Sequence, residues 1–217
     1  MPEAGLVGLP AVDRVPVPWR NGRGTTAEVI VRGAGPGIGS SADFGWRISI
    51  ATVESDGDFS RYPGVDRWLM PLCPGGLRLV DDGAPVPVGQ YEVHAFPGER
   101  ALASDGVTTP TLDLNLMLRR GETTGSLHMV ETAGILTLTT TAEEELVVIV
   151  LDGNFAADFE ADFAGVPDAP GGVSDGPGHR AARTLGRHDA VFLGTGRQIT
   201  LHGTGRIAVA RIASFRV

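Results

Sequence analysis

Short runs in which apolar and polar residues alternate recur along the chain, and no stretch sustains a helical period. The clearest run opens FGWRISIATVESDGDFSRYPGVDR, residues 44–67. As a strand over 46–53 it sets Trp46, Ile48 and Ile50 on one face and Arg47, Ser49 and Ala51 on the other. Its polar face leads into Asp56-Gly57, Phe59-Ser60-Arg61, Pro63-Gly64 and the pair Asp66-Arg67. The Asp-Gly and Pro-Gly steps read as turns that aim Phe59 and Ser60 at the end of the strand. A second alternation, over 111–119, puts Leu114, Leu116 and Leu118 together and leaves Asp113, Asn115, Met117 and Arg119 on the opposite face. A third strand, over 25–32, places Thr26 beside Glu28.

The same grammar predicts strands over 68–72, 76–80 and 90–95, with Asp81-Asp82-Gly83 as a hairpin turn and residues 96–99 as another turn. The lead-in ends in the extended segment VPVPW. In the second half, strands are expected over 146–151, 155–159, 189–193, 198–202 and 206–215, with Asp152-Gly153 a break. The β-branched run LVVIVL favours a buried strand over a helix. Gly- and Pro-rich stretches over 33–43 and 164–183 read as loops. VGQYEVHAFPGE (88–99) resembles LGRHDAVFLGTG (185–196) in outline, with Phe96 and Phe192 in equivalent places. The expectation is therefore all-β: a degenerate repeat of two barrel or jelly-roll units, residues 1–121 and 122–217, closed to protect their strand edges.

Composition narrows the function. Of 217 residues, Gly supplies 31 and Pro 15, the punctuation that many short strands need. The net charge of −8 argues against a nucleic-acid or anionic-membrane surface. All 18 basic residues are Arg, so mechanisms that depend on Lys are excluded. A single Cys73 forbids an internal disulfide and suits a reducing compartment. The N-terminus lacks signal-peptide character and no apolar run reaches membrane-spanning length, so a cytoplasmic protein is expected.

Catalytic signatures are sparse. The five histidines, His94, His128, His179, His188 and His202, form no H-x-H or H-x-x-x-H pair, and neither a metal nor another cofactor is expected. Cys73 precedes Pro74 with no His nearby, and no G-x-S-x-G is present. What remains is three polar strand faces that carry guanidinium, hydroxyl and amide groups. One such face is ordinary solvated surface; three such faces fit a barrel whose interior is polar and whose exterior packs against something else. Arg holds carboxylates by a two-pronged fork, and Asn and Thr orient carbonyl and amide groups. The pattern suits a small acidic metabolite.

The motifs PWRNGRGTTAE (18–28), FGWRISIATVESDGDFSRYPGVDR (44–67), FPGE (96–99) and DLNLMLRRG (113–121), in this order, resemble the HutD/Ves family. The resemblance spans most of residues 18–121, and the second half matches in general character. It implies a cupin-like fold with two barrel units, a bicupin, in a protein associated with bacterial histidine utilisation. It further implies a small-molecule-binding or regulatory role, with formylglutamate or urocanate as ligand. The chain departs from the family's usual glycine run at Gly22-Arg23-Gly24, and has Ala27 where a basic residue is usual. On this reading Arg47 and Arg119 hold carboxylates and Asn21, Thr26, Ser49 and Asn115 set orientation. Trp19, Trp46, Phe59 and Met117 wall the site, and Ser60 stands at its mouth. Two other functions compete: an enzyme on a histidine-breakdown intermediate with Glu28 as general base and Arg47 stabilising charge, and a protein-interaction scaffold. Exposed barrel edges also leave room for a homodimer.

Overall fold

The computed structural model describes residues 5–19, 21–33, 44–158 and 182–215. Its elements are strands, apart from one short 3-10 turn at Ala11–Asp13, and among the described residues no helix is long and apolar enough to cross a membrane. After β1 (Leu6–Leu9) come β2 (Pro16–Pro18), β3 (Gly24–Arg32), β4 (Trp46–Val53), β5 (Gly57–Asp58) and β6 (Val65–Pro71). Then follow β7 (Leu77–Asp81), β8 (Ala84–Val88), β9 (His94–Pro97), β10 (Leu102–Ser104) and β11 (Thr111–Arg119). The three longest strands lie toward the C-terminus, β12 (Thr123–Thr139), β13 (Glu144–Asp158) and β16 (Gln198–Ser214), with the short β14 (Ala182–Leu185) and β15 (Ala190–Leu193) between the last two. The chain divides into two compact units, Arg14–His128 with Ser214–Val217, and Met1–Asp13 with Met129–Ala213.

The first unit holds two sheets, ordered β2-β3-β4-β11-β6-β9 and β5-β10-β7-β8. The unbroken alternations of β4 and β11 pair antiparallel from Trp46 opposite Leu118 to Val53 opposite Thr111. Their leucine and isoleucine face is buried: Ile48, Leu114, Leu116 and Leu118 are at most 1% exposed. Between the sheets, Val53, Leu69 and Phe96 meet Leu77, Leu79, Val88 and Leu102. Each large side chain so buried contributes about 1.5–3 kcal/mol. A bulge in β3 inserts Val29 between the pairs Glu28–Ser49 and Ile30–Ile48. Thr26 and Glu28 therefore share the face of Ser49 and Ala51, whereas Ile30 joins Ile48 on the other.

A polar bridge also spans these sheets. Asp81, from the inner face of β7, accepts from Arg100 Nη1 at 3.1 Å and lies 2.9 Å from His94 Nε2, on β9. Asp81→Ala removes both contacts and is expected to cost about 2 kcal/mol, as for a lost hydrogen bond to a charged group. Urea unfolding checks this; an unchanged midpoint would show that the bridge adds nothing.

The second unit is a sheet ordered β1-β15-β13-β16-β12, with β14 also pairing β13. Its core is apolar and includes Leu146, Val148, Val150, Phe155, Val191, Ile199, Leu201 and Val209.

Several expected elements are redrawn. The hairpin partner of β7 is β8, not a strand over 90–95, because Tyr91 adopts φ 63° and the strand begins only at His94. The expected break at Asp152-Gly153 is a register shift inside one continuous strand, β13. Likewise 198–202 and 206–214 are parts of the single strand β16, which ends one residue before the expected limit at 215. The expected loops lie outside the described residues, except Gly33 at the start of one and the β14 residues Ala182 and Arg183 at the end of the other.

The sequence repeat returns as a repeated loop. Glu92 N donates to Gly89 O, and Gly89 N donates to Glu92 Oε2. In the second unit Asp189 N donates to Gly186 O, and Gly186 N to Asp189 Oδ2. Tyr91 and His188, at the same place in each loop, both adopt positive φ, 63° and 67°.

Candidate functional site

A cavity of about 620 Å³ opens on the polar face of the larger sheet of the first unit. Four adjacent strands supply its floor through register. Ser49 of β4 lies opposite Glu28 on one side and Asn115 of β11 on the other. One step along, Met117 lies opposite Arg47 of β4 and Arg67 of β6. The lead-in supplies Val15, Val17, Pro18, Trp19 and Asn21, and the segment after β5 supplies Phe59, Ser60 and Tyr62. Trp19 Nε1 donates to Thr26 Oγ1 at 2.7 Å, and its ring lies 6.2 Å from that of Phe59, so one wall is aromatic and anchored.

Arg67 is the electrostatic centre. It is 5% exposed, and its guanidinium sits 4.9 Å from the Phe96 ring centroid and 5.4 Å from that of Tyr62. Its Nη1 donates to the Ser60 carbonyl and its Nη2 to Asn115 Oδ1, each at 3.0 Å. Its Nε is buried without a hydrogen-bond partner. Burial lowers its pKa to about 10, which leaves it a cation at neutral pH. Asn115 passes the contact on, since its Nδ2 donates to Asp113 Oδ1. Asp113 is fully buried, and its Oδ2 has no partner. Burial pushes its carboxyl up to about 7, against the opposing pull of Arg67 and of the Asn115 hydrogen bond.

Arg47 lies 3.3 Å through Nε from Glu28 Oε2, yet this nitrogen makes no directed hydrogen bond. Half of the Glu28 side chain is exposed, so the pair is a weak, solvent-screened one. The floor thus presents two guanidinium groups flanking Met117, each with an Nε that makes no hydrogen bond. Such an array can attract an oxyanion. Among the described residues no group of three or more His, Cys, Asp or Glu is arranged to hold a metal ion.

The cavity brings together Trp19, Asn21, Thr26, Glu28, Arg47, Ser49, Phe59, Ser60, Asn115 and Met117. Trp46 and Arg119 lie elsewhere. Strand alternation turns Trp46 to the opposite, buried face, where it pairs with Leu118. Arg119 has the right parity but sits at the end of β11; its Nε donates to Phe44 O and lies 3.6 Å from Glu122 Oε1. In the sequence Asp66-Arg67 reads equally as a structural ion pair and as a binding pair, so Arg67 does not stand among the expected site residues. In the fold the two diverge: Asp66 pairs with Arg120 at 2.6 Å, outside the cavity. The available signal was the alternation of VDRWLMP, which puts Val65, Arg67 and Leu69 on one face.

The HutD family model matches residues 11–210. An uncharacterised 21.2 kDa protein in the hutC 3′ region of Pseudomonas putida is 38% identical over 110 residues, which are 50% of this chain and 56% of that protein. Protein Ves of Cronobacter sakazakii is 35% identical over 147 residues, 65% of this chain and 75% of that one. Among solved structures, HutD from Pseudomonas fluorescens SBW25 superposes with a TM-score of 0.75 at 24% identity, over 98% of this chain and all of that one. The conserved protein PA5104 of unknown function from Pseudomonas aeruginosa PAO1 does so with the same score and coverage at 26% identity. YlbA from E. coli, of DUF861, shares the fold at a TM-score of 0.67 and 9% identity, over 98% of this chain and 92% of that one. With the match running through both units, this chain belongs to the HutD family.

Proposed function

We propose that the cavity binds a small carboxylate produced in histidine breakdown, such as formylglutamate or urocanate, and that the protein reports its level rather than transforming it. The observation that carries this reading is Arg67: a buried cation on the cavity wall, fixed at both terminal nitrogens and unpartnered at Nε. A carboxylate brought beside this guanidinium gains the attraction of a charge already desolvated and oriented. Arg47, across Met117, is the second anchor. The volume is within the range of small-molecule sites. The name of the Pseudomonas putida relative, which places that protein beside hutC, supports the pathway. Glu28, the base of an enzymatic reading, is engaged with Arg47, which favours an electrostatic role for it. The reading takes the chain as two cupin-like units acting in the cytoplasm; the matched Gly89 and Gly186 loops support the duplication.

Calorimetric titration with formylglutamate, urocanate and glutamate is the test. At least one is expected to bind with 1:1 stoichiometry. At a hundredfold excess over Kd it should add about 2.7 kcal/mol of stability. The absence of both heat and a melting shift for all three acids would refute the proposal.

A further inference from the structure

Arg67 has a competitor for its charge inside the protein. The hydrogen bonds run from Arg67 to Asn115 and from Asn115 to Asp113. All three lie on one sheet face: Asn115 pairs across to Leu69, two residues beyond Arg67, and Asp113 to Pro71. Asp113 lacks solvent contact, and its second carboxylate oxygen has no hydrogen-bond partner to hold a full negative charge. We infer that Asp113 is the internal counter-ion that an anionic ligand displaces: as a carboxylate settles on Arg67, Asp113 takes up a proton from solvent, and binding tightens as pH falls. This rests on the carboxylate reading above and adds to it the residue that sets which charge the cavity accepts.

The physics is that of two carboxylates sharing one site. With the cavity empty, Arg67 stabilises ionised Asp113. A second anion on Arg67 consumes that stabilisation and adds its own repulsion across a poorly solvated gap, so the Asp113 pKa must rise. The empty-cavity value of about 7 places the carboxyl where a further rise is felt at neutral pH. By linkage, a group whose pKa rises on binding takes up protons between its free and bound values, and affinity is greater below that window than above it. The other titratable or charged groups on this face are Arg47 from β4, Glu28 from β3, Arg119 at the end of β11, which bonds Phe44 O, and His94 from β9, which is bound to Asp81. Asp58 from β5 and Tyr62 complete the lining. The residues directly opposite Asp113, Ala51 and Pro71, carry no charge.

The experiment is titration of the whole protein with formylglutamate, whose carboxyls stay ionised above pH 6, in two buffers of different ionisation enthalpy. At pH 7 the wild type is expected to take up about half a proton per ligand bound. If the Asp113 pKa rises by about one unit, Kd should be roughly tenfold tighter at pH 6 than at pH 9. Asp113→Asn, judged folded by its melting curve, should bind without proton uptake and with a Kd flat across that range. Heat with no proton uptake in the wild type overturns the inference while leaving carboxylate binding standing. Uptake that persists in a folded Asp113→Asn assigns the proton to another group and also overturns it. No heat from formylglutamate, urocanate or glutamate removes the carboxylate reading and this inference together.

Discussion

Replacing Arg67 with Met is expected to weaken formylglutamate binding at least a hundredfold. Met is unbranched and flexible enough to occupy the channel between Phe96 and Tyr62. What it lacks is the desolvated charge. Losing one partner of a buried charged contact costs about 3–5 kcal/mol, and each 1.4 kcal/mol is tenfold in Kd. Arg67→Lys keeps the charge but loses the fork that bonds Ser60 and Asn115 together, and should fall between the two. The variant's stability carries a pH signature. The folded pKa of Asp113 is raised above its unfolded value, so its protonation stabilises the fold fully below the unfolded pKa, and that contribution is lost as pH rises through the folded value near 7. Without Arg67 the folded pKa rises further. Arg67→Met should therefore lose more stability relative to wild type at pH 9 than at pH 6 in urea melts. A Kd within threefold of wild type would remove Arg67 from the site.

Gly153→Ala should destabilise the protein by about 3 kcal/mol or more, because two costs coincide. Gly153 adopts φ 85°, which an L side chain occupies at a cost of about 1–2 kcal/mol. An added Cβ would also lie 2.2 Å from Thr204 O and 2.8 Å from Gly205 Cα, both backbone atoms of the paired strand β16. Neither can move without opening the ladder. Gly121 is the control: its φ is 86°, and a methyl group added there would have nothing within 4 Å. Gly121→Ala should thus show the conformational cost alone. Equal losses for the two variants in thermal or urea melts would show that the close approach at Gly153 carries no cost of its own.

Gly153 also explains why the second half of the fold was harder to read than the first. In β4 and β11 the alternating residues Trp46, Ile48, Ile50, Leu114, Leu116 and Leu118 are apolar and buried, no glycine intervenes, and the predicted limits 46–53 and 111–119 match the strands. In β13 and β16 the glycines punctuate the sequence as turns do, yet Gly153 faces Gly205 inside a continuous pair. Glycine in a strand marks close backbone approach as readily as it marks a turn, and the distinction lies in the partner strand. β12 escaped notice for another reason. At the end of its sheet much of the strand is exposed, so TTGSLHMVETAGILTLT carries no strict alternation. The site divides in the same way. Residues gathered by strand parity, such as Arg47, Ser49 and Asn115, were legible. Arg67 depended on which strand lies beside β11, and Arg119 on how far along β11 the cavity extends, neither of which a single sequence encodes locally.

The Val29 bulge has a consequence for how relatives should align. The pairs on either side, Glu28 with Ser49 and Ile30 with Ile48, are consecutive rungs of the ladder, so Val29 is an extra residue that shifts neither face. Excising it leaves Thr26 and Glu28 toward the cavity and Ile30 toward the buried side. Homologues can therefore differ here by a one-residue gap and still share every cavity position. An alignment forced through without that gap would place inward residues against outward ones on one side of it.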